Sequence, residues 1–185
     1  MPAILRHYSQ SLVDSLECVS QAALSSLLFD LENARSQRST VFLCGNGGSA
    51  ANALHWANDL LYGAARGGRP GLRVHALPAN AAICTCLAND EGYQEVFSSQ
   101  LKVLASAGDL LIVFSGSGNS PNVLCAIEAA KLLGMRSWAI VGFDGGQALR
   151  MADCAIHFQI DDMQVAEDCQ MVLGHVVTRM LAVHA

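Results

Sequence analysis

The segment Thr40-Val-Phe-Leu-Cys44-Gly-Asn-Gly-Gly-Ser49 decides the fold class, because it has the pattern of a strand that turns directly into a helix. The run 40–44 is short and mostly apolar, as expected for a strand that is buried on both faces. A glycine-rich loop then leads into a stretch of helical pattern at 50–62. Strands that alternate with helices in this way are typical of a parallel sheet with helices on both sides.

The same alternation continues along the chain. Further strands are predicted at 72–77, 110–114, 137–141 and 154–158. Further helices are predicted at 3–36 (one long helix or a pair), at 80–87 and 91–107 on either side of a polar break at Asn89-Asp90, at 121–133, and at 161–183. The sequence therefore predicts a single α/β domain over residues 1–185. It is a three-layer αβα sandwich around a five-stranded parallel sheet, with long N-terminal and C-terminal helices. Residues 1–36 are expected to pack on the domain or in an oligomer interface.

Composition excludes several classes of protein. The chain has 185 residues, of which 52% are apolar and 15% charged, against about 25% charged in an average soluble domain. So few charged residues favour a subunit that self-associates. No apolar run reaches the roughly 18 residues of a membrane span, and the N-terminus lacks the basic and apolar regions of a signal peptide. A net charge of −5 without a Lys/Arg cluster argues against nucleic acid as a partner.

The cysteines indicate a reducing compartment. There are seven, an odd number, and none forms a CxxC pair. Most lie in apolar runs, as in Val41-Phe-Leu-Cys44. We therefore expect buried free thiols and a cytoplasmic protein.

Two loops of small polar residues are candidate anion sites. The first is Gly45-Asn-Gly-Gly-Ser49, and the second is Ser115-Gly-Ser-Gly-Asn-Ser120. Each is predicted to follow the carboxyl end of a strand and to precede a helix N-terminus, where free N–H groups and the helix dipole favour a negative charge. Ser120 can cap the helix that begins at Pro121. Tight strand–helix turns without a ligand remain the alternative. Neither loop is a P-loop or a full dinucleotide motif, so a monophosphate suits them best.

Histidines and carboxylates recur at helical spacing. His55 and Asp59 are four residues apart and share a helix face. Glu167 and His175 are eight apart, about two turns, on a broadly common side of the last helix. The two pairs have the donor types of a zinc site or of an acid–base set. Incidental surface pairs remain the alternative for each pair taken alone.

Taken together, these motifs resemble the SIS (sugar isomerase) domain family, and within it the phosphoheptose isomerases. The resemblance covers nearly the whole chain and rests on 44–49, His55 with Asp59, 88–90, 115–120, 145–146, and Glu167 with His175. It implies a flavodoxin-like fold and a homotetramer with active sites at subunit interfaces. It also implies a metal, usually zinc, at His55, Asp59, Glu167 and His175.

The resemblance further implies where the substrate binds and how it reacts. The implied contacts come from Asn46, Gly47, Gly48, Asn89, Asp90, and a phosphate cradle of Ser115, Gly116, Ser117 and Ser120. The implied reaction interconverts sedoheptulose 7-phosphate and D-glycero-D-manno-heptose 7-phosphate through an enediol. Asp59 is the first candidate for the base and Glu167 the second, while His175 is the candidate acid.

Three positions depart from the family pattern. The family usually has Glu at position 59, Gln at 167 and Thr at 116, where this chain has Asp, Glu and Gly. These exchanges leave open an isomerase that acts on a different phosphorylated sugar. A further alternative is a non-catalytic SIS protein that binds the replication initiator, which Ser49-Ala-Ala-Asn-Ala53 resembles in part. A sugar-phosphate sensor would need an attached DNA-binding domain, for which these 185 residues leave no room.

Overall fold

Five parallel strands form the central sheet of the structure, a computed structural model that describes residues 2–183. The strands are β1 (Thr40–Cys44), β2 (Arg73–Ala76), β3 (Leu110–Ser115), β4 (Arg136–Val141) and β5 (Cys154–His157). They lie in the order β2-β1-β3-β4-β5, which is the flavodoxin-like order. β1 and β4 flank β3, with Val41 opposite Leu110 and Leu110 opposite Arg136. The predicted five-stranded parallel sheet is confirmed.

In the part of the chain that the structure describes, eight α-helices surround the sheet. They are α1 (Ala3–Glu17), α2 (Gln21–Gln37), α3 (Gly48–Leu61), α4 (Ala81–Asp90), α5 (Ser98–Leu104), α6 (Pro121–Leu132), α7 (Ala148–Met151) and α8 (Met163–Val183). Short 3-10 turns at Gly63–Gly68, Leu77–Ala79 and Tyr93–Glu95 join them to their neighbours.

Side chains of alternating direction along β3 divide the core into two halves. Leu110, Ile112 and Phe114 point to the face covered by α2, α3 and α8, whereas Leu111 and Val113 point to the face covered by α5, α6 and α7. All five are buried, which explains why the strand is apolar along its whole length. The result is the predicted three-layer αβα sandwich.

The N-terminal segment is a bent helix pair that packs on the last helix. α1 and α2 meet at an angle of 74°. Leu27 and Leu31 of α2 are fully buried, and Tyr8 of α1 donates a 2.7 Å hydrogen bond to Asp168 of α8. Within residues 2–183, no single helix is both long and apolar enough to cross a bilayer, and only the bent α1–α2 pair passes that test when its two helices are taken together.

The predicted polar break at Asn89-Asp90 is wrong. Both residues belong to the last turn of α4, and the chain leaves the helix at Gly92, where φ is +99°. This positive φ is what ends the helix, since glycine adopts it at little cost. Side-chain polarity was the weaker signal, because the exposed end of a helix tolerates Asn and Asp.

Candidate active site

The two small-residue loops meet beyond the carboxyl ends of β1 and β3. These strands are neighbours in the sheet, so the loops that follow them lie side by side. Asn46 and Asn122 join the loops through a pair of amide hydrogen bonds of 2.9 and 2.8 Å. The hydroxyl of Tyr93 donates a third, of 2.9 Å, to Asn46. Asn122 is buried and was not found from the sequence, where it is simply the second residue of a helix.

A cavity of about 240 Å³ lies between the loops and the start of α8. Its lining combines the glycine loop, the serine loop and two side chains of α8: Asn46, Gly47, Ser49, Phe114, Ser115, Gly116, Ser117, Ser120, Met163 and Glu167. The N-termini of α3 and α6 both open onto it. The cavity therefore brings serine hydroxyls and two helix N-termini, which are donors for an anionic group, next to the apolar Met163 and the Glu167 carboxylate.

The hydroxyl groups of Ser115, Ser117 and Ser120 can act as hydrogen-bond donors to a ligand. The Ser115 oxygen accepts a 3.0 Å hydrogen bond from the N–H of Gly118, and the Ser117 oxygen accepts one of 3.3 Å from Asn119. Ser120 is the N-cap residue of α6, but its side chain does not make the predicted capping bond. Since a hydroxyl carries one donor besides its acceptor lone pairs, all three serines can donate outward.

Glu167 borders the glycine loop. Its carboxylate lies so close to Gly48 that a Cβ at this position would overlap the Glu167 oxygens. Gly47 adopts φ +55° and ψ −123°, a conformation that other residues rarely take. Gly47 thus supplies the backbone conformation that leads into α3, while Gly48 leaves room for the Glu167 carboxylate at the edge of the cavity.

α3 and α8 run parallel and are held together by a buried amide. Gln170 is fully buried and bonds to both Asn52 and Ser49 of α3, at 3.0 and 3.2 Å. The indole of Trp56 donates to the Gln170 carbonyl at 3.0 Å. Sequence reasoning missed Gln170, although a glutamine on the apolar face of the last helix was a detectable signal.

A second group of polar side chains lies further along the same two helices. Nε2 of His55 and Nε2 of His175 are 3.0 Å apart, and Oδ2 of Asp59 is 3.5 and 3.8 Å from them. Two imidazole nitrogens at 3.0 Å need a proton or a cation between them, because two lone pairs repel. All three side chains are partly exposed, so a ligand can reach them.

The spacing of the three donor atoms fits a metal ion. Bonds of about 2.0–2.2 Å in a tetrahedron hold donor atoms about 3.3–3.6 Å apart. The three distances of 3.0, 3.5 and 3.8 Å lie around this value. His55, Asp59 and His175 can therefore hold a divalent cation with at least one position open.

Glu167, the fourth predicted ligand, is not in this cluster. Eight residues of helix separate it from His175, a rise of about 12 Å. Within one chain it lines the cavity at the N-terminal end of α8, whereas His175 lies about two turns further on. The structure thus joins three of the four predicted ligands and leaves the fourth at the other group.

Asn89 and Asp90 lie outside both groups. They are exposed at the end of α4, and the amide of Asn89 donates a 2.7 Å hydrogen bond to Asp90. Hydrogen bonds from Asn89 and from Cys86 lower the pKa of the Asp90 carboxyl, which stabilises its charged form. Neither residue is among those that line the cavity.

Comparison with known proteins agrees with this architecture. The family model described as the SIS domain matches residues 7–142. A phosphoheptose isomerase of Helicobacter pylori (strain P12) is 35% identical over 177 residues, which are 96% of this chain and 91% of the relative. One from Burkholderia pseudomallei (strain K96243) is 39% identical over 142 residues, 77% of this chain and 72% of the relative.

Solved structures agree as well. That of a phosphoheptose isomerase from Neisseria gonorrhoeae has a TM-score of 0.87 and 28% identity, with 96% of each chain covered. A phosphoheptose isomerase structure from Francisella tularensis, with a TM-score of 0.90, 24% identity and coverage of 98% of this chain and 96% of that one, shows the same fold. The chain therefore belongs to the SIS domain family, in its phosphoheptose isomerase branch.

Proposed function

We propose that the protein is an aldose–ketose isomerase that converts sedoheptulose 7-phosphate to D-glycero-D-manno-heptose 7-phosphate. The observation that carries the proposal is the presence, on one pair of parallel helices, of a hydroxyl-lined anion cavity and a His–Asp–His cluster. The named relatives, which match over most of the chain, support the substrate.

The cavity is proposed to bind the phosphate. Ser115, Ser117 and Ser120 would donate to its oxygens, while the N-termini of α3 and α6 add positive potential. Asn46, Gly47 and Gly48 are proposed to contact the sugar, and Asn89 and Asp90 remain proposed contacts of the same kind. Binding the end remote from the reaction orients the carbons that react.

The reaction moves one proton between neighbouring carbons. A carboxylate takes the proton from C1 of the ketose and returns it to C2, and the enediol between these steps becomes the aldose. Asp59, in the His–Asp–His cluster, is our first candidate for this base, and Glu167, the carboxylate that lines the cavity, is the second. His175 is proposed to move the proton between the hydroxyl and carbonyl oxygens, because imidazole gains and loses a proton near neutral pH.

Zinc is the metal we propose for His55, Asp59 and His175. Two imidazoles and a carboxylate are donors that zinc commonly takes. When bound, it would polarise the carbonyl and stabilise negative charge on the oxygens.

Adding zinc to the chelator-treated protein should raise its melting temperature. A ligand at 100 times its Kd adds about 2.7 kcal/mol to the free energy of unfolding, which corresponds to a rise of roughly 5–11 °C in Tm for a chain of this size. Differential scanning fluorimetry measures the shift. His55→Ala should abolish it, while His75→Ala, an exposed residue of β2 outside the cluster, should leave it unchanged. Equal shifts in both variants would place the metal elsewhere.

A homotetramer with active sites at subunit interfaces is proposed for two reasons. Large apolar side chains are exposed on the N-terminal helices, among them Ile4 at 80% and Phe29 at 70%. In addition, Glu167 is not in the His55–Asp59–His175 cluster of its own chain. A site with all four predicted ligands is proposed to take Glu167 of the partner subunit.

Light scattering after size exclusion should give a mass of about 78 kDa, four times 19.6 kDa. The expectation follows from the apolar surface of α1 and α2, which a monomer would expose to water. Replacing Ile4 and Phe29 together with Ser should shift the mass to smaller species. The same two Ser substitutions at Val103 and Leu132, exposed on the other face of the sheet, serve as the control. A monomer in the unmodified protein would contradict the proposal.

A cytoplasmic location is proposed from the cysteines. All seven are free thiols, but only Cys44 and Cys169 are buried, so the expected burial of the others is wrong. Burial raises the pKa of Cys44, and burial raises that of Cys169 to about 11, so both stay protonated and inert. Free thiols are typical of proteins in a reducing compartment.

The experiment that tests the function is a turnover assay with sedoheptulose 7-phosphate, before and after chelation and zinc addition. Zinc-dependent formation of the aldoheptose phosphate supports the proposal. Lack of turnover in both states would overturn this substrate, and a panel of other phosphoketoses would then be assayed. If none reacts, capture of the purified replication initiator tests the binding alternative.

A further inference from the structure

Met163 fills the space beside the second residue of the serine loop, Gly116. A Cβ on Gly116 would overlap the Met163 sulfur and come within 2.9 Å of its Cε and 3.5 Å of the Phe143 ring. Gly116 is not among the glycines with positive φ, so its backbone does not require glycine. A side chain at position 116 would instead have to displace the Met163 thioether.

The start of α8 fixes the backbone of Met163. It is the first residue of this helix, and the carboxylate of Asp162 accepts hydrogen bonds of 3.0 and 3.1 Å from the next two N–H groups, those of Gln164 and Val165. The side chain is 39% exposed and lines the cavity with the serines. A methionine side chain has several rotatable bonds, so its thioether can move while its backbone is held in place.

Phe143 completes the apolar side of this wall. Its backbone has φ +46°, uncommon for a residue with a side chain. Two hydrogen bonds hold it there, because its N–H donates to the Ile160 carbonyl at 3.1 Å and its carbonyl accepts from Nε2 of His157 at 2.9 Å. The backbone from which the ring projects is therefore held in place, whereas the Met163 thioether is the adjustable part of the wall.

We propose that Met163 is a specificity-determining residue of the phosphosugar cavity and that it acts as a coupled pair with Gly116. The inference rests on the proposed function, since it takes the cavity to be the phosphate site. The Met163 thioether occupies the space that a side chain at position 116 would fill. The cavity therefore has an apolar surface where a Ser or Thr at position 116 would add a fourth hydroxyl to those of Ser115, Ser117 and Ser120. A side chain can therefore be added at position 116 without loss of cavity space only if residue 163 becomes smaller.

The pair predicts a specific pattern among four proteins: the unmodified chain, Gly116→Ser, Met163→Ala and the double variant. Gly116→Ser alone should push the thioether into the cavity, and we expect the Kd for inorganic phosphate and the KM to rise about tenfold. Met163→Ala in the same chain frees the space, and the added hydroxyl can then donate to the phosphate. The double variant should bind phosphate at least as tightly as the unmodified chain, with kcat changed less than KM.

Isothermal titration with inorganic phosphate measures the pair without turnover. Coupling is supported if the double variant departs from the product of the two single effects by about fivefold or more. Multiplicative effects within twofold would overturn it. Met151→Ala is the matched control, because this methionine packs against the core on the other face of the sheet. Thermal unfolding confirms that each variant is folded.

A second readout is substrate choice. Met163→Ala alone should relax the ratio of kcat/KM values between sedoheptulose 7-phosphate and phosphoketoses of other lengths, and an unchanged ratio would contradict a role in specificity. If the unmodified protein turns over no sedoheptulose 7-phosphate, the proposed function fails, and the phosphate titrations still decide whether the two residues are coupled.

Discussion

Replacing His175 with Ala should lower kcat for sedoheptulose 7-phosphate by about 10²–10⁴-fold, the usual size of a general acid–base contribution. The imidazole lies 3.0 Å from that of His55 and 3.8 Å from Asp59, so the change removes a donor atom from the centre of the cluster. Because the side chain is about half exposed, its loss should change the free energy of unfolding by less than about 1 kcal/mol.

Steady-state kinetics and urea unfolding together check this expectation. His75→Ala is the matched control, since it removes an exposed imidazole outside the cluster and should retain turnover. Zinc content after dialysis, measured by mass spectrometry, should fall in the His175 variant alone. Turnover within threefold of the unmodified protein would remove His175 from the mechanism.

Gly174→Ala should destabilise the protein by about 2–4 kcal/mol. A Cβ at this position would overlap the indole nitrogen of Trp56, which is buried and rigid. To admit it, α3 and α8 must move apart, and the 3.0 Å hydrogen bond from Trp56 to the Gln170 carbonyl is strained or lost. The same movement would separate His55 from His175, so zinc affinity should fall with stability.

Chemical unfolding and zinc titration check both effects of this variant. Val176→Ala, on the exposed side of α8, is the control and should change stability by about 0.5 kcal/mol or less. If Gly174→Ala lost stability but kept full zinc affinity, the cluster would not depend on the helix contact. Unchanged stability would contradict the packing described for Trp56.

The sheet could be predicted because its strands are buried on both faces. The run Leu110–Phe114 is apolar on both faces, so it lacks the polar face of an amphipathic helix or of a hairpin strand. Its strand structure and its parallel pairing therefore follow from composition. Helix ends were harder, as at Asn89-Asp90, because the backbone conformation of Gly92 decided the end. The pattern of apolar side chains thus indicates whether a segment is a strand or a helix, whereas the backbone conformation of single residues decides where it ends.

The sequence predicted most residues of the two polar groups, but it did not predict how these residues are arranged in space. Spacing placed His55 with Asp59, and Glu167 on a common side of α8 with His175, yet it could not show that α3 and α8 run parallel. This packing depends on Gln170, whose partners come from two distant parts of the chain, α3 and β4. Contacts between remote segments cannot be predicted from a local sequence pattern. Only the structure therefore shows that Glu167 lies apart from His55, Asp59 and His175.

The position of α8 in the chain has a consequence for biosynthesis. This helix follows all five strands, yet it supplies Glu167 and Met163 to the cavity and His175 to the cluster. At about 5–20 residues per second, a ribosome needs about 1–4 s to add its 21 residues after the sheet is encoded. Both groups stay incomplete until α8 has been added and has docked on α3, because without it the cavity lacks Met163 and Glu167 and the cluster lacks His175. A nascent chain without α8 is therefore expected to bind zinc and phosphate more weakly than the finished chain.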